Sequence, residues 1–442
     1  MSKKYIRLRL LRVCLTLFAI TGLTMLGANA FAAGKPPGRT LTGNWGGARQ
    51  KLLDDGIDLG FIYTGQGAYN VTGGDRHASA YVDEFQINGD LDFDKLFGWA
   101  GGSLHFTLLN RNGNEIDAKA NLGTLLLTQE QWGGGDITRL PIFYLEQKFS
   151  SGLVTVKLGR MTFGQYYPFK CKFMNLNFCA SLPAWLGQGI PGYPIGQFGL
   201  VVGFHPTPEW FVNVGAYRVN PDVGSKANAL RIFPRGTNAG EVFAAEVGWH
   251  TKLNGGSGSA PLKGTWRIGG WHNNAPYPDL LLDVNGMPQV LTGAAPLMRD
   301  DSSGVFAMGQ QQLTHNAAGG GLSLFGNLIL GNPDVDLIDQ MISVGFYYKA
   351  PFASRPHDRI GFAIGRDQVS SRVAASEAIQ NANGLGPVAV QDEYEYIMEL
   401  DYNAEVYRGV FLMPDLQYIL HPGGTSTRPN VTQIGLQLQV YF

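Results

Sequence analysis

A period-two alternation of apolar and polar residues recurs along this chain and limits what it can fold into. Phe85, Ile87, Leu91 and Phe93 alternate with Glu84, Gln86, Asn88, Asp90 and Asp92. Tyr394, Tyr396, Met398, Leu400 and Tyr402 alternate with Glu393, Glu395, Glu399 and Asp401. The segments 104–109, 243–250 and 342–349 repeat the pattern. This period puts successive side chains on opposite faces of a β-strand. A soluble sandwich also alternates, but its dry core would leave carboxylates unpaired in the middle of long strands. Lipid on one face and a wet lumen on the other satisfies both, and closure removes edges that hydrocarbon does not tolerate. The expectation is an all-β fold, a transmembrane antiparallel β-barrel.

Composition agrees with that reading. The chain has 442 residues, 60 of them Gly, with 12% aromatic and only 16% charged residues. Beyond residue 32 no apolar run is long enough for a helical span of about 20 residues. Porin-type barrels with an open channel use about 16–18 strands. At sixteen strands, the chain beyond residue 32 provides about 25 residues per strand and loop, which suits strands of about 9–11 residues.

Residues 1–32 read as a cleaved secretory signal. Lys3, Lys4, Arg7, Arg9 and Arg12 precede an apolar Val13–Leu26 core, followed by the small-x-small sites Ala28-Asn29-Ala30 and Ala30-Phe31-Ala32. Removing these five basic residues from the 34 leaves 29 against 35 acidic, a net charge of −6. A mildly acidic chain without a basic block makes nucleic acid an unexpected partner. Cys14 departs with the signal, and Cys171 and Cys179 are expected to form a disulfide in an oxidising compartment. No metal site is expected.

Residues 33–57 are expected to form an N-terminal segment with a short helix, N-capped by Asn44 and ended by Gly56, and residues 58–442 the barrel. Ile434, Leu436, Leu438, Val440 and Phe442 alternate with Gly435, Gln437, Gln439 and Tyr441. The terminal aromatic Phe442 resembles the signal that hands such barrels to their outer-membrane assembly machinery. Stretches 111–138, 163–197, 254–264, 273–320, 370–391 and 422–429 break the alternation and read as loops. The 273–320 stretch is the longest irregular region.

The catalytic motifs HExxH, GxxxxGK[ST] and GxSxG are absent, and the histidines are scattered singly. No enzyme activity and no cofactor are expected. The 163–197 loop is long and aromatic, and folding it into the lumen would build a constriction. Trp185 would offer a flat stacking face for C–H groups of a solute, while Arg111, Glu115, Arg160, Lys170 and Lys172 would exchange hydrogen bonds with solute hydroxyls. Strict parity sets Arg160 with Val154, Val156 and Leu158 on the lipid face; a bulge at Gly159 would turn it inward. The residues leave both readings open.

Trp45-Gly46-Gly47-Ala48-Arg49 with Leu52 and Gly56-Ile57, Leu158-Gly159-Arg160, and Asp415-Leu416-Gln417-Tyr418-Ile419 before Pro422-Gly423 resemble the carbohydrate-selective porins of Gram-negative bacteria, the OprB family. The resemblance spans residues 41–442. It implies sixteen strands, a short periplasmic N-terminal helix, and passive diffusion of glucose and related small neutral sugars through an aromatic and arginine-lined constriction. Outer-membrane lipid and the assembly machinery are the other implied partners, and monomer or trimer stays open. The competing readings are a porin for amino acids or organic acids, a barrel enzyme, and a plugged structural barrel.

Overall fold

Apolar side chains that alternate along a strand need an apolar medium on their own side of the sheet. The computed structural model, which describes residues 37–163, 173–175, 189–255 and 260–442, places them there. Ile268, Val344 and Leu436 all point away from the barrel interior, at 61%, 54% and 50% exposure. In water so many uncovered aliphatic groups would be a liability, whereas a bilayer covers them. Their strand neighbours Arg267, Ser343 and Gln437 are buried on the inner face.

The strands are β1 (Ile57–Thr72), β2 (Ser79–Asp92), β3 (Gly102–Asn114), β4 (Ile137–Phe149), β5 (Val154–Met161), β6 (Gln197–Phe204), β7 (Trp210–Val219), β8 (Gly240–Leu253) and β9 (Leu262–Asn273). They continue with β10 (Tyr277–Asp283), β11 (Pro296–Arg299), β12 (Ser302–Gln312), β13 (Gly321–Leu330), β14 (Ile338–Lys349), β15 (Arg359–Val369), β16 (Tyr394–Tyr407), β17 (Val410–Leu420) and β18 (Val431–Tyr441). Sixteen of them form one closed barrel, in which β1 pairs antiparallel with both β2 and β18. β10 and β11 make a separate two-stranded sheet within the β9–β12 connection. The sixteen antiparallel strands expected from the sequence are present.

The expected 273–320 loop needs correction, because it contains the barrel strand β12. The alternation of β12 is blurred. Its outer face offers only Val305 and Ala307 near the Gly309 that lies beneath the Trp266 ring, and its inner face carries the apolar Phe306 and Met308. Phe93 also leaves the β2 pattern. It starts the short helix α2 (Phe93–Phe97) and packs against Phe97 and Trp99.

Connections sort by length onto two ends. Short turns such as 150–153 and 408–409 lie at one end, and the long segments 115–136, 162–196, 274–301 and 370–393 lie at the other. Outer-membrane barrels place short turns in the periplasm and long loops outside. The helix α1 (Ala48–Asp54) lies at the turn end, before β1. Asn44 stands four residues before α1 rather than at its N-cap, which is Gly47, yet its Oδ1 accepts from the Gln50 N–H at 2.9 Å. Gly56 follows the helix with φ +95°, as a residue ending a helix in the left-handed region.

Arg49 of α1 is buried and joins the first and last strands. It donates to the Leu59 carbonyl at 3.0 Å, a Phe442 main-chain oxygen at 2.8 Å and the Thr40 hydroxyl at 2.8 Å. Its guanidinium lies 4.7 Å from the Trp45 ring centre. The Trp-Gly-Gly-Ala-Arg segment thus forms a clasp over the β1–β18 seam. Gly46 and Gly47 take φ +66° and +99°, a conformation that favours glycine.

Candidate solute path through the barrel

Among the described residues, parts of the 115–136 and 162–196 loops lie in the lumen, and the inner wall holds them. Loop 115–136 leaves β3 and starts with the short helix α3 (Ile116–Ala120), whose Ile116 and Ala120 are fully buried. It crosses the interior. Gln129 donates to the Gln66 carbonyl of β1 at 2.8 Å, and Gln417 of β17 donates to the Thr128 carbonyl at 3.0 Å. Described residues of the 162–196 loop enter as well. Phe163 packs at 6.0 Å from the Tyr217 ring and edge-on to Phe306. Phe173 lies 6.1 Å from Phe325 and beneath the Arg359 guanidinium. The sequence marks the second loop as one that folds inward and the first as a loop only.

A cavity of about 720 Å³ opens among the loops. Leu125, Leu126, Ile190, Tyr193, Val219 and Tyr277 supply apolar and aromatic lining, with Glu130, Gln197 and Asn220 as polar points. Burial raises the Glu130 carboxyl to about 8, against the opposing pull of Arg111. Burial likewise raises Asp117 to about 7, although it accepts from the Thr124 hydroxyl and from both the N–H and hydroxyl of Thr128.

The expected site residues fall into three groups. Arg111 is on the inner wall, where its Nε donates to Glu84 Oε2 at 2.7 Å and its Nη1 to the Gly133 carbonyl; it also lies over Tyr193. Glu115 is a helix cap, and both its carboxylate oxygens accept from the Ala118 N–H at 2.9 Å. Arg160 is fully buried, opposite Phe143 and Phe198, and donates to the carbonyls of Gly196, Asn228, Ala229 and Arg231. It clamps the 220–239 loop to the wall and faces neither lipid nor solute. Gly159, at φ +146°, marks the local distortion. Lys170, Lys172, Trp185, Cys171 and Cys179 lie outside the described residues. Arg111 and Glu115 come together at the base of the 115–136 loop, whereas Arg160 stands apart in the β5 wall.

Beyond that list, the inner wall pairs its charges between neighbouring strands. Arg267 meets Glu246 at 3.0 Å, Arg359 meets Asp401 at 2.8 Å, and Lys157 meets Glu146 at 3.5 Å. His105 contacts Asp90. Glu84 stands directly opposite Arg111 and Glu146 opposite Lys157, whereas Arg267 and Arg359 reach their carboxylates diagonally; neither arrangement shows before the register is known.

A closed barrel with an apolar outer face, a charge-paired inner wall and loops folded into its lumen is a channel of the outer-membrane porin class. Residues 76–442 match the carbohydrate-selective porin, OprB family, and the chain belongs to that family. It is 34% identical to Porin B of Pseudomonas aeruginosa over 96% of both chains. It is 28% identical to the putative porin QuiX of Acinetobacter baylyi, over 96% of this chain and 97% of that one. The high-pH structure of Pseudomonas putida OprB matches with a TM-score of 0.86 at 32% identity, covering 91% of this chain and 98% of that one. OmpF of Salmonella typhi shares the fold alone, at TM-score 0.53 and 9% identity, over 88% and 98% of the two chains. The chain is therefore an outer-membrane carbohydrate porin of a Gram-negative bacterium.

Proposed function

We propose that this porin passes glucose and similarly small neutral sugars by passive diffusion. The observation that carries this reading is the pairing of inner-wall charges between adjacent strands, Arg111–Glu84, Arg267–Glu246 and Arg359–Asp401. Paired charges leave the wall without an excess of one sign, so it does not concentrate ions over neutral solutes. The aromatic lining at Tyr193 and Tyr277 adds faces on which sugar C–H groups can rest. Trp185 and the Lys170–Lys172 segment complete the constriction in this reading, stiffened by a Cys171–Cys179 disulfide. Residues 1–32 are removed on export, and Phe442 serves as the assembly signal.

A second reading, a porin for organic acids, is favoured by Arg139. It is buried, and among the described residues no carboxylate stands within ion-pair distance of it. Sugar-induced current noise in planar bilayers separates the two. Glucose should transiently block the current, with dwell shortened by Trp185→Ala and selectivity altered by Arg111→Ala. Block by organic acids but never by glucose would overturn the sugar reading. A glucose block that Trp185→Ala leaves unchanged would remove Trp185 from the path.

A further inference from the structure

The two lumen loops emerge beside β3 and β5 yet are fastened several strands away around the barrel, at β16 and β17. Glu395 and Glu399 are four residues apart on β16, so both face inward, and both are fully buried. Glu395 accepts from the Leu125 N–H of the 115–136 loop at 2.9 Å and from the Gly423 N–H at 2.7 Å. Glu399 Oε1 accepts from the N–H groups of Met174 and Asn175 in the 162–196 loop, at 2.6 and 3.0 Å. Gln417 lies between them. Its amide donates to the Thr128 carbonyl at 3.0 Å, and its oxygen accepts from the Asn175 side chain at 3.1 Å. The loops also bond directly, the Glu130 N–H donating to the Met174 carbonyl at 3.1 Å.

Backbone N–H groups turned toward the inner wall need acceptors once they leave water. A carboxylate is the strongest acceptor a side chain can provide, because the bond is charge-assisted. The carboxyl oxygens of Glu395 and Glu399 are thus directed at loop backbone. We infer that Glu395 and Glu399 are positioning residues of the channel, Glu395 holding the 115–136 loop and Glu399 the 162–196 loop at the depth that sets the aperture. The inference extends the channel reading to individual residues. It does not depend on which solute passes, since ionic conductance reads the aperture for any cargo.

The test uses the full chain, folded and reconstituted in planar bilayers, as Glu399→Ala, Glu399→Gln and Glu395→Ala. Glu209→Gln, at an exposed turn, is the control. Heat-modifiability on gels reports the intact barrel, limited proteolysis reports each loop, and single-channel conductance reports the aperture. Losing one charge-assisted bond should raise the released-loop population about 10- to 100-fold, and cleavage should follow it. For Glu399→Ala, cuts should appear within residues 162–196, with a larger and noisier conductance. For Glu395→Ala the cuts should move to residues 115–136. Glu399→Gln keeps an acceptor oxygen without the charge and should fall between, and Glu209→Gln should match wild type. Heat-modifiable Glu399→Ala and Glu395→Ala barrels with wild-type conductance and protection would overturn the inference. If the alanine variants do not fold, wild-type behaviour of Glu399→Gln overturns it. Altered conductance with no glucose block in either wild type or variant would instead leave the aperture role standing and count against the sugar reading.

Discussion

Arg160→Met should free the 220–239 loop while leaving the barrel closed. The guanidinium is fully buried and donates to the carbonyls of Gly196 at 3.1 Å, Asn228 at 2.8 Å, Ala229 at 3.3 Å and Arg231 at 2.6 Å. A hydrogen bond from a charged donor contributes about 1.5–3 kcal/mol, and a buried carbonyl left without a partner costs about 1–3 kcal/mol. The four do not simply add. Burying a guanidinium without a counter-ion carries its own penalty of several kcal/mol, and Met retains much of the volume. The net local loss is therefore about 2–4 kcal/mol. That corresponds to roughly 30- to 800-fold faster cleavage if the loop opens and closes quickly relative to proteolysis. Limited proteolysis of detergent-purified protein, mapped by mass spectrometry, should find new cuts within residues 220–239. Heat-modifiability should persist, because the β5 ladder to β4 and β6 is main-chain bonding. Unchanged cleavage of that loop would refute the clamp.

Val344→Arg places a charge on the lipid face midway along β14 and should cost about 2–4 kcal/mol of barrel stability in lipid vesicles. The inward Gln86→Arg should cost far less, and equal losses measured by denaturant titration would contradict the assignment of faces. Asp117 and Glu130, raised by burial to about 7 and about 8, bind more protons in the folded loop than in a released one. Stability of the 115–136 loop should therefore fall as pH rises from about 4 to about 8. Hydrogen exchange, corrected for its intrinsic rate, should show this fall reduced in Asp117→Asn. Non-reducing peptide mapping should recover Cys171 and Cys179 as one cross-linked pair; two alkylatable thiols in native protein would exclude it.

The barrel was legible because lipid and lumen impose a period of two on every strand they share. Phe243, Val247 and Trp249 point outward and Glu246 inward, as the alternation required. Legibility failed where another contact replaced the medium. β12 escaped notice because Phe306 and Met308 face inward against the base of a lumen loop, while Gly309 lies under Trp266. Arg160 escaped because its environment is a set of loop carbonyls 36 to 71 residues away in sequence. Glu115 looked like a solute contact but caps a helix, a role set by the turn that follows it. Glu395 and Glu399 were visible as inward carboxylates, yet their purpose depends on loop backbone that arrives from the β3–β4 and β5–β6 connections.

The most direct test of the central claim is liposome swelling with purified protein across glucose, neutral amino acids of similar size and glucose-derived acids. The account predicts fastest swelling in glucose, with rates that decline as neutral sugars grow larger and no dependence on an energy source. Equal or faster swelling in amino acids or sugar acids than in glucose would contradict it, even with the barrel intact.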